Sequence, residues 1–319
     1  MNGPVIGLGA MGMSGMYGPA DRAESIATIH AAIDAGVTLI DTGDFYGMGH
    51  NELLIRDALR PGDRDKVRLS VKFGALRGPD NAWGGMDTRP AAIRNFLAYT
   101  LVRLGVDHID VYRPARLDPA VPIEETIGAI ADLVKEGYVR EIGLSEVGAD
   151  VIRRAHAVHP IADLQIEYSL LSRGVEDQVL PVLRELGIGM TAYGVLSRGL
   201  LSGHWRADRP LAAGDFRAHG PRFAPENVGH NLALVEALRS VAAAKGVTVA
   251  QLAIGWVAAQ GADIVPLVGA RTRERLAEAL VPVALTAADL AAIEAAVPAD
   301  SAHGSRYPAP MMTHLGTDR

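Results

Sequence analysis

The chain has 319 residues, of which 49% are apolar and 21% charged, with a formal charge of −6. That length suits two average domains or one large α/β barrel, and the composition excludes both a disordered chain and a disulfide-stapled miniprotein. The 31 Lys and Arg form no basic stripe against the 37 Asp and Glu, so nucleic acid is not an expected partner; the absence of cysteine removes disulfides and thiolate chemistry. Met1 to Gly12 carries no basic leader, and the longest uncharged stretch, Gly246 to Ala262, is too short and too polar to span a bilayer. A soluble, cytoplasmic protein is the expectation, with no membrane partner and an oligomeric state that the sequence does not reveal.

In chain order, short β-branched runs alternate with longer amphipathic segments. The predicted strands are Pro4 to Leu8, Val37 to Ile40, Val67 to Val71, His108 to Tyr112, Val139 to Leu144, Ile161 to Gln165, Ile188 to Ala192 and Ile264 to Leu267. Helix starts are signalled by Asp21 with Glu24, by Thr88 ahead of Pro90, and by Thr248 with Gln251 as a capping box. Eight such alternations predict a single-domain (β/α)8 TIM barrel over residues 1–319 rather than a doubly wound sheet. Two stretches break the rhythm. Gly203 to Asn231, rich in Pro, Gly and aromatics, reads as a lid loop; Pro298 to Arg319 reads as a tail whose Tyr307, Met311, Met312 and Leu315 need a surface to pack on.

Gly7-Leu8-Gly9-Ala10-Met11-Gly12 matches the dinucleotide fingerprint G-x-G-x-x-G after a strand. That fingerprint needs a helix to begin within the glycines, yet Gly15, Gly18 and Pro19 follow, so it reads instead as a glycine-rich loop after the first barrel strand.

Reactive groups of such a barrel lie at the C-terminal ends of strands. Asp41-Thr42-Gly43-Asp44-Phe45-Tyr46-Gly47 follows the second strand and Lys72 the third, which brings an aspartate, a tyrosine and a lysine to one rim. A neighbouring ammonium favours the phenolate of a tyrosine, and Asp41 could hold Lys72 by an ion pair, although Asp44 could equally be the strand-end carboxylate. The set would donate a proton to a carbonyl oxygen, as hydride reduction of an aldehyde or ketone requires.

The segment DTGDFYGMGHNELL, Asp41 to Leu54, resembles the D-T-A-x-x-Y-G-x-G-x-N-E signature of the aldo-keto reductases. The resemblance continues through GLGAMGM, SVKFG around Lys72, VPIEETIGAIADLVKEGYVREIGLSE from Val121, QIEYSLLSR from Gln165 and AYGVLSRGLLSG from Ala192. It implies a barrel that binds NADPH without a Rossmann domain, with Tyr46 as general acid, Lys72 lowering its pKa and Asp41 paired with Lys72 near the nicotinamide ribose. The family's fourth catalytic residue is a histidine in a segment like D-L-Y-x-L-H-R-x-D-P, and here Asp110-Val111-Tyr112-Arg113-Pro114-Ala115-Arg116-Leu117-Asp118-Pro119 puts Ala115 in its place. This histidine-free segment is similar to that of the pyridoxal-reductase branch. A water or a nearby polar side chain would have to replace the donor.

By the same resemblance Ser145 and Gln165 would hold the nicotinamide carboxamide and Tyr193 would stack on the ring, with Met11 also at the cofactor. Gly194, Val195, Leu196, Ser197, Gly199 and Leu200 would surround the pyrophosphate. Gly269 and Ala270 would allow close approach beside Arg271 and Arg275 as a clamp for a 2'-phosphate, since a guanidinium fork suits phosphate. Glu278 matches one adenine-contacting position. The N-terminal floor hairpin common in relatives is expected to be missing. Trp83, Tyr17 and Ala115, with Met13, Phe45, Tyr112, the lid and the tail, would build an aromatic, largely uncharged substrate pocket suited to aldehydes or planar ketones. The alternative reading is an NADP(H)-binding sensor or regulatory protein with weak or altered catalysis, motivated by Ala115.

Overall fold

The computed structural model describes residues 6–80, 82–208, 211–212, 214–312 and 315. Ten strands are present among them: β1 (Gly7–Gly9), β2 (Leu39–Gly43), β3 (Arg68–Phe73), β4 (Ala75–Arg77), β5 (Trp83–Met86), β6 (Ile109–Pro114), β7 (Val139–Ser145), β8 (Ile161–Glu167), β9 (Gly189–Tyr193) and β10 (Ile264–Gly269). Eight of them close a parallel barrel in the order β1-β10-β9-β8-β7-β6-β3-β2, so each expected run became a barrel strand, ending one to three residues later than its apolar part. The fold is a (β/α)8 TIM barrel.

The strand ends extend because side chains alternate between faces with a period of two. One face of the strands carries Leu69, Val71 and Phe73 of β3, with Leu164 and Ile166 of β8, all in the hydrophobic core. The alternate set, Asp41, Ser70, Lys72, Arg113, Asp163, Gln165 and Thr191, is polar and interconnected by hydrogen bonds inside the barrel. Barrels of this type are more often filled by branched apolar residues. Gly143 of β7 makes this filling possible, because a Cβ there would come within 2.9 Å of the Arg113 guanidinium carbon and 2.8 Å of an Asp163 carboxylate oxygen.

Helix starts follow local chemistry. Asp21 accepts from the Glu24 amide at 2.7 Å, and Thr248 with Gln251 forms a reciprocal capping box. At the third expected start the cap is Arg89, with Pro90 in the first turn, while Thr88 bonds Thr126 at 3.0 Å instead. After β1 the chain makes only a 3-10 turn, Met11–Ser14, and Gly15 ends it at φ 89°, so the glycine motif opens no α-helix. The β4–β5 hairpin was not expected. Residues 203–224 contain two 3-10 turns, Phe216–His219 and Pro221–Phe223, but residues 225–231, which lack a visible helical period, open the helix Pro225–Lys245 with Pro225 in its first turn. Pro4 and Val5 of the expected first strand, and the stretch before β1 on which the expectation of a missing floor hairpin falls, lie outside the described residues. No single helix among the described residues is long and apolar enough to cross a membrane.

Candidate active site

Parallel register sets the centre of the site: Asp41 lies opposite Ser70, and Gly43 opposite Lys72. The Lys72 ammonium donates to Asp41 Oδ1, while Asp41 Oδ2 accepts from Ser70 Oγ at 2.7 Å and from Gln165 Nε2 at 2.6 Å. Lys72 Nζ sits 5.0 Å from the centre of the Tyr46 ring. All three side chains are buried. Burial pushes the Lys72 pKa down, against the attraction of Asp41. Burial, then the Asp41 charge, raises Tyr46 well above the usual phenol value, and the cation that opposes this most is Arg116. The tyrosine is thus held protonated at neutral pH.

The loop after β2 is tied to the loop after β1. Asn51 accepts from Thr42 Oγ1 at 2.6 Å and donates to Ala10 O at 2.9 Å and Ser14 Oγ at 2.7 Å. Asp44, the other candidate carboxylate, accepts from the Gly74 and Phe45 amides and feels the charges of Glu52 and Arg103, and burial raises its pKa to about 7. Asp41 is therefore the carboxylate that meets Lys72.

Around the rim, Ser145 and Gln165 are register neighbours at the ends of β7 and β8. Tyr193 ends β9; its hydroxyl donates to Glu146 Oε1 at 2.6 Å and shares a 2.7 Å hydrogen bond with the Tyr307 hydroxyl. Ser197, Arg198 and Gly199 have successive positive φ values of 46°, 55° and 106°, a backbone that curls around the space beside β9. Leu196, Gly269, Arg275 and Glu278 line a small cleft together with Ser202 and Val268. A Cβ on Gly269 would meet nothing nearer than Gly9 O at 3.8 Å, so this position is an open cradle. Small residues, a flanking guanidinium and a carboxylate fit the dinucleotide that the resemblance implies. Arg271 is differently placed, donating to the carbonyls of Tyr17 at 3.2 Å and Pro19 at 3.3 Å. Val195, Leu200 and Ala270 are buried in the core, Gly194 lies against Glu167, and Met11 is half-buried at the start of the 3-10 turn.

On the substrate side, Trp83 lies on the β4–β5 hairpin, 48% exposed, under the Arg77 guanidinium. Tyr17 lies beneath Arg217, and burial raises its pKa to about 12. Ala115 is buried at the end of β6. Two expected wall residues belong to the core instead: Tyr112 stacks on Phe73 at 4.2 Å, and Met13 is buried. Nor is the pocket region largely uncharged. Arg306 from the tail makes a two-pronged ion pair with the buried Glu146 at 3.1 and 3.0 Å, Arg198 pairs with Glu167 at 3.0 Å and covers the Tyr307 ring, and Arg222 joins Glu167 and Ser172. Burial would raise the Glu146 carboxyl, but Arg306 and Arg116 outweigh it and hold its pKa low. Sequence reasoning missed these arginines and Arg116, because most of their partners lie on segments far away in the sequence. The one local signal was the placement of Ala115 next to an arginine.

The Aldo/keto reductase family profile matches residues 5–298. This chain belongs to the aldo-keto reductase family. It is 41% identical over 307 residues to the probable aldo-keto reductase 1 of Glycine max, a match covering 95% of this chain and 88% of that one. The glycerol dehydrogenase structure from Gluconobacter oxydans superposes with a TM-score of 0.83 at 27% identity, covering 99% and 93% of the two chains. An aldo-keto reductase from Klebsiella pneumoniae in complex with NADPH superposes with a TM-score of 0.73 at 26% identity, covering 95% and 94%. As an aldo-keto reductase the chain is a carbonyl oxidoreductase, and at the end of β6 it carries Ala115 where the family pattern has a histidine.

Proposed function

We propose that this chain reduces an aldehyde or ketone to the alcohol with NADPH, with Tyr46 supplying the proton. The observation that carries the reading is the buried Lys72–Asp41 pair beside the Tyr46 ring. NADPH, when bound, supplies the hydride. Ser145 and Gln165 would hold its carboxamide, Tyr193 its ring, and Arg275 beside Gly269 and Glu278 its 2'-phosphate end. Tyr46 keeps its proton until the carbonyl oxygen gains negative charge. Lys72 then favours the phenolate that forms, and Asp41, fixed by Ser70 and Gln165, holds the ammonium in place. The NADPH complex of the Klebsiella relative supports the choice of cofactor. The aromatic residues Trp83, Tyr17 and Phe45 favour aldehydes or planar ketones.

The test is oxidation of NADPH, with NADH in parallel, in the presence of a panel of aldehydes that includes pyridoxal. Wild type is expected to turn over with NADPH preferred. Tyr46→Phe is expected to lose about 10²-fold or more in kcat, the scale of general acid catalysis, while NADPH affinity stays within about threefold, since the ring remains and only a hydroxyl goes. Unchanged turnover in Tyr46→Phe would remove it as the acid. Ala115 motivates a second reading, an NADP(H)-binding sensor, for which tight NADPH binding with no turnover of any carbonyl is the expected result.

A further inference from the structure

Polarising a carbonyl for hydride attack needs a second donor beside the acid, so that charge developing on oxygen meets two hydrogen bonds rather than one. Ala115 has no donor to offer. The next residue does. Arg116 leaves the C-terminal end of β6 and its guanidinium lies between two residues of the site: Nη1 donates to Ser145 Oγ at 3.4 Å and Nη2 to the Tyr307 hydroxyl at 3.4 Å. Nη1 also donates to Ala115 O at 2.6 Å, which folds the side chain back onto the residue that replaces the histidine. Tyr307 lies beneath the guanidinium, 5.9 Å from ring centre to the guanidinium carbon. A guanidinium has five N–H donors, and these three bonds leave two without a partner among the described residues.

We propose that Arg116 is the carbonyl-polarising donor of this enzyme, standing in for the histidine that Ala115 lacks. The proposal rests on the reductase reading above and adds a residue to it. The hydride adds to the carbonyl carbon, the C=O π pair moves onto oxygen, Tyr46 transfers its proton to that oxygen, and an Arg116 N–H hydrogen-bonds the same oxygen throughout without transferring a proton. Its charge also reaches the reacting hydroxyl, since Arg116 is the leading influence favouring ionisation of Tyr46. Unlike an imidazole, the guanidinium keeps its charge and its donors across the physiological range. Two consequences follow for substrate class. A permanent cation at the carbonyl favours compounds with an anionic oxygen beside it, such as 2-oxo acids or aldehydes with an adjacent ionised hydroxyl. It also disfavours carbonyls flanked by an ammonium.

Arg116→Ala and Arg116→Gln, with circular dichroism to confirm folding, separate the outcomes. The expected result is a fall of about 10²–10³-fold in kcat for a small aldehyde, with the NADPH dissociation constant within about threefold of wild type. Millimolar guanidinium ion is expected to restore at least tenfold of the loss in Arg116→Ala. The glutamine variant, which can still bond Tyr307 and Ser145, is the decisive one if the alanine variant does not fold. Retention of kcat within threefold in a folded variant, or a loss confined to NADPH affinity, overturns the proposal. A second measurement does not need turnover: calorimetry of acetate binding to the protein saturated with NADP+, where the carboxylate oxygens take the place of the carbonyl oxygen. Arg116→Gln is expected to weaken acetate at least tenfold. If wild type reduces no carbonyl yet acetate binding depends on Arg116, the oxygen-binding role stands and the reductase reading falls; if acetate binding is the same in both proteins, the role of Arg116 falls whatever the turnover.

Discussion

Asp44 shows how much one buried group in this site costs. Its carboxylate accepts backbone N–H bonds from Phe45 and Gly74, yet burial and the nearby Glu52 raise its pKa from 3.8 to about 7. The folded chain therefore prefers the protonated form. As pH rises from about 4 through 7, the unfolded chain ionises freely while the folded chain does so against burial, and stability falls across that window. Asp44→Asn keeps the size and a neutral side chain. We expect its Tm to match wild type near pH 4 and to exceed it by roughly 5–10 °C at pH 8, since a shift of about 3 pKa units is worth about 4 kcal/mol at about 2 °C per kcal/mol. A difference in Tm that stays constant from pH 4 to pH 8 would show that Asp44 does not titrate in this window.

At the scale of elements, the C-terminal tail acts as a strap across the rim. Arg306 reaches Glu146 and Glu167, its carbonyl accepts from Arg198 at 2.5 Å, and Tyr307 bonds Tyr193. Asn231 of the helix Pro225–Lys245 anchors the preceding segment through the His303 amide and carbonyl, at 2.8 and 2.9 Å. Removing one partner of a buried pair leaves the other charge uncompensated, at a cost of about 3–5 kcal/mol. Arg306→Ala is therefore expected to lower the Tm by several degrees and to make the tail the first site of limited proteolysis, while Arg306→Lys keeps part of both. Equal protease resistance in wild type and Arg306→Ala would show that the strap is held by Tyr307 and the apolar contacts alone. Such a strap was invisible in the sequence for a physical reason: Arg306, Glu146, Glu167 and Arg198 are separated by up to 160 positions, and only closure of the barrel brings them together. The strands and the Asp41–Tyr46–Lys72 centre were legible because period-two alternation and strand-end position are local properties. Strand ends were read short where Lys72, Arg113 and Glu167 interrupt the apolar run, since an inward-facing polar residue in a barrel looks like a loop residue in the sequence. The helical start at Pro225 was hidden by Ala224, a cap position with no side-chain acceptor.

The whole molecule is unusual in what fills the barrel. A hydrogen-bonded column runs from Thr191 and Asp163 through Arg113 and Ser70 to Asp41, and ends at Lys72 beneath Tyr46. Arg113 is fully buried and pairs with Asp163 at 3.0 Å, with Nη1 on the Leu144 carbonyl at 3.2 Å. Two opposed effects decide what this pair does for stability. Desolvating both charges costs several kcal/mol, and their attraction in a low-dielectric interior offsets that only when the remaining donors are satisfied. Pairing therefore contributes less to net stability than it costs to break. Asp163→Leu alone is expected to destabilise by about 3–5 kcal/mol, because it leaves the fully buried Arg113 without its carboxylate, and Arg113→Met alone by less, because Asp163 is partly exposed and keeps Thr191. The double variant Arg113→Met with Asp163→Leu is expected to lie well above the sum of the two, with a coupling of at least about 1 kcal/mol, since adjacent partners of one network are not additive. The space at Gly143 that now admits the guanidinium would accept the methionine. Denaturant unfolding of the four proteins measures this cycle directly. Asp41 keeps Ser70, Gln165 and Lys72 in the double variant, so turnover is expected to survive if the column is a structural filling, and to fall with Arg113 removed if the guanidinium also fixes Ser70 and through it the orientation of Asp41. Additive losses would mean that Arg113 and Asp163 are held by their other neighbours and not by each other.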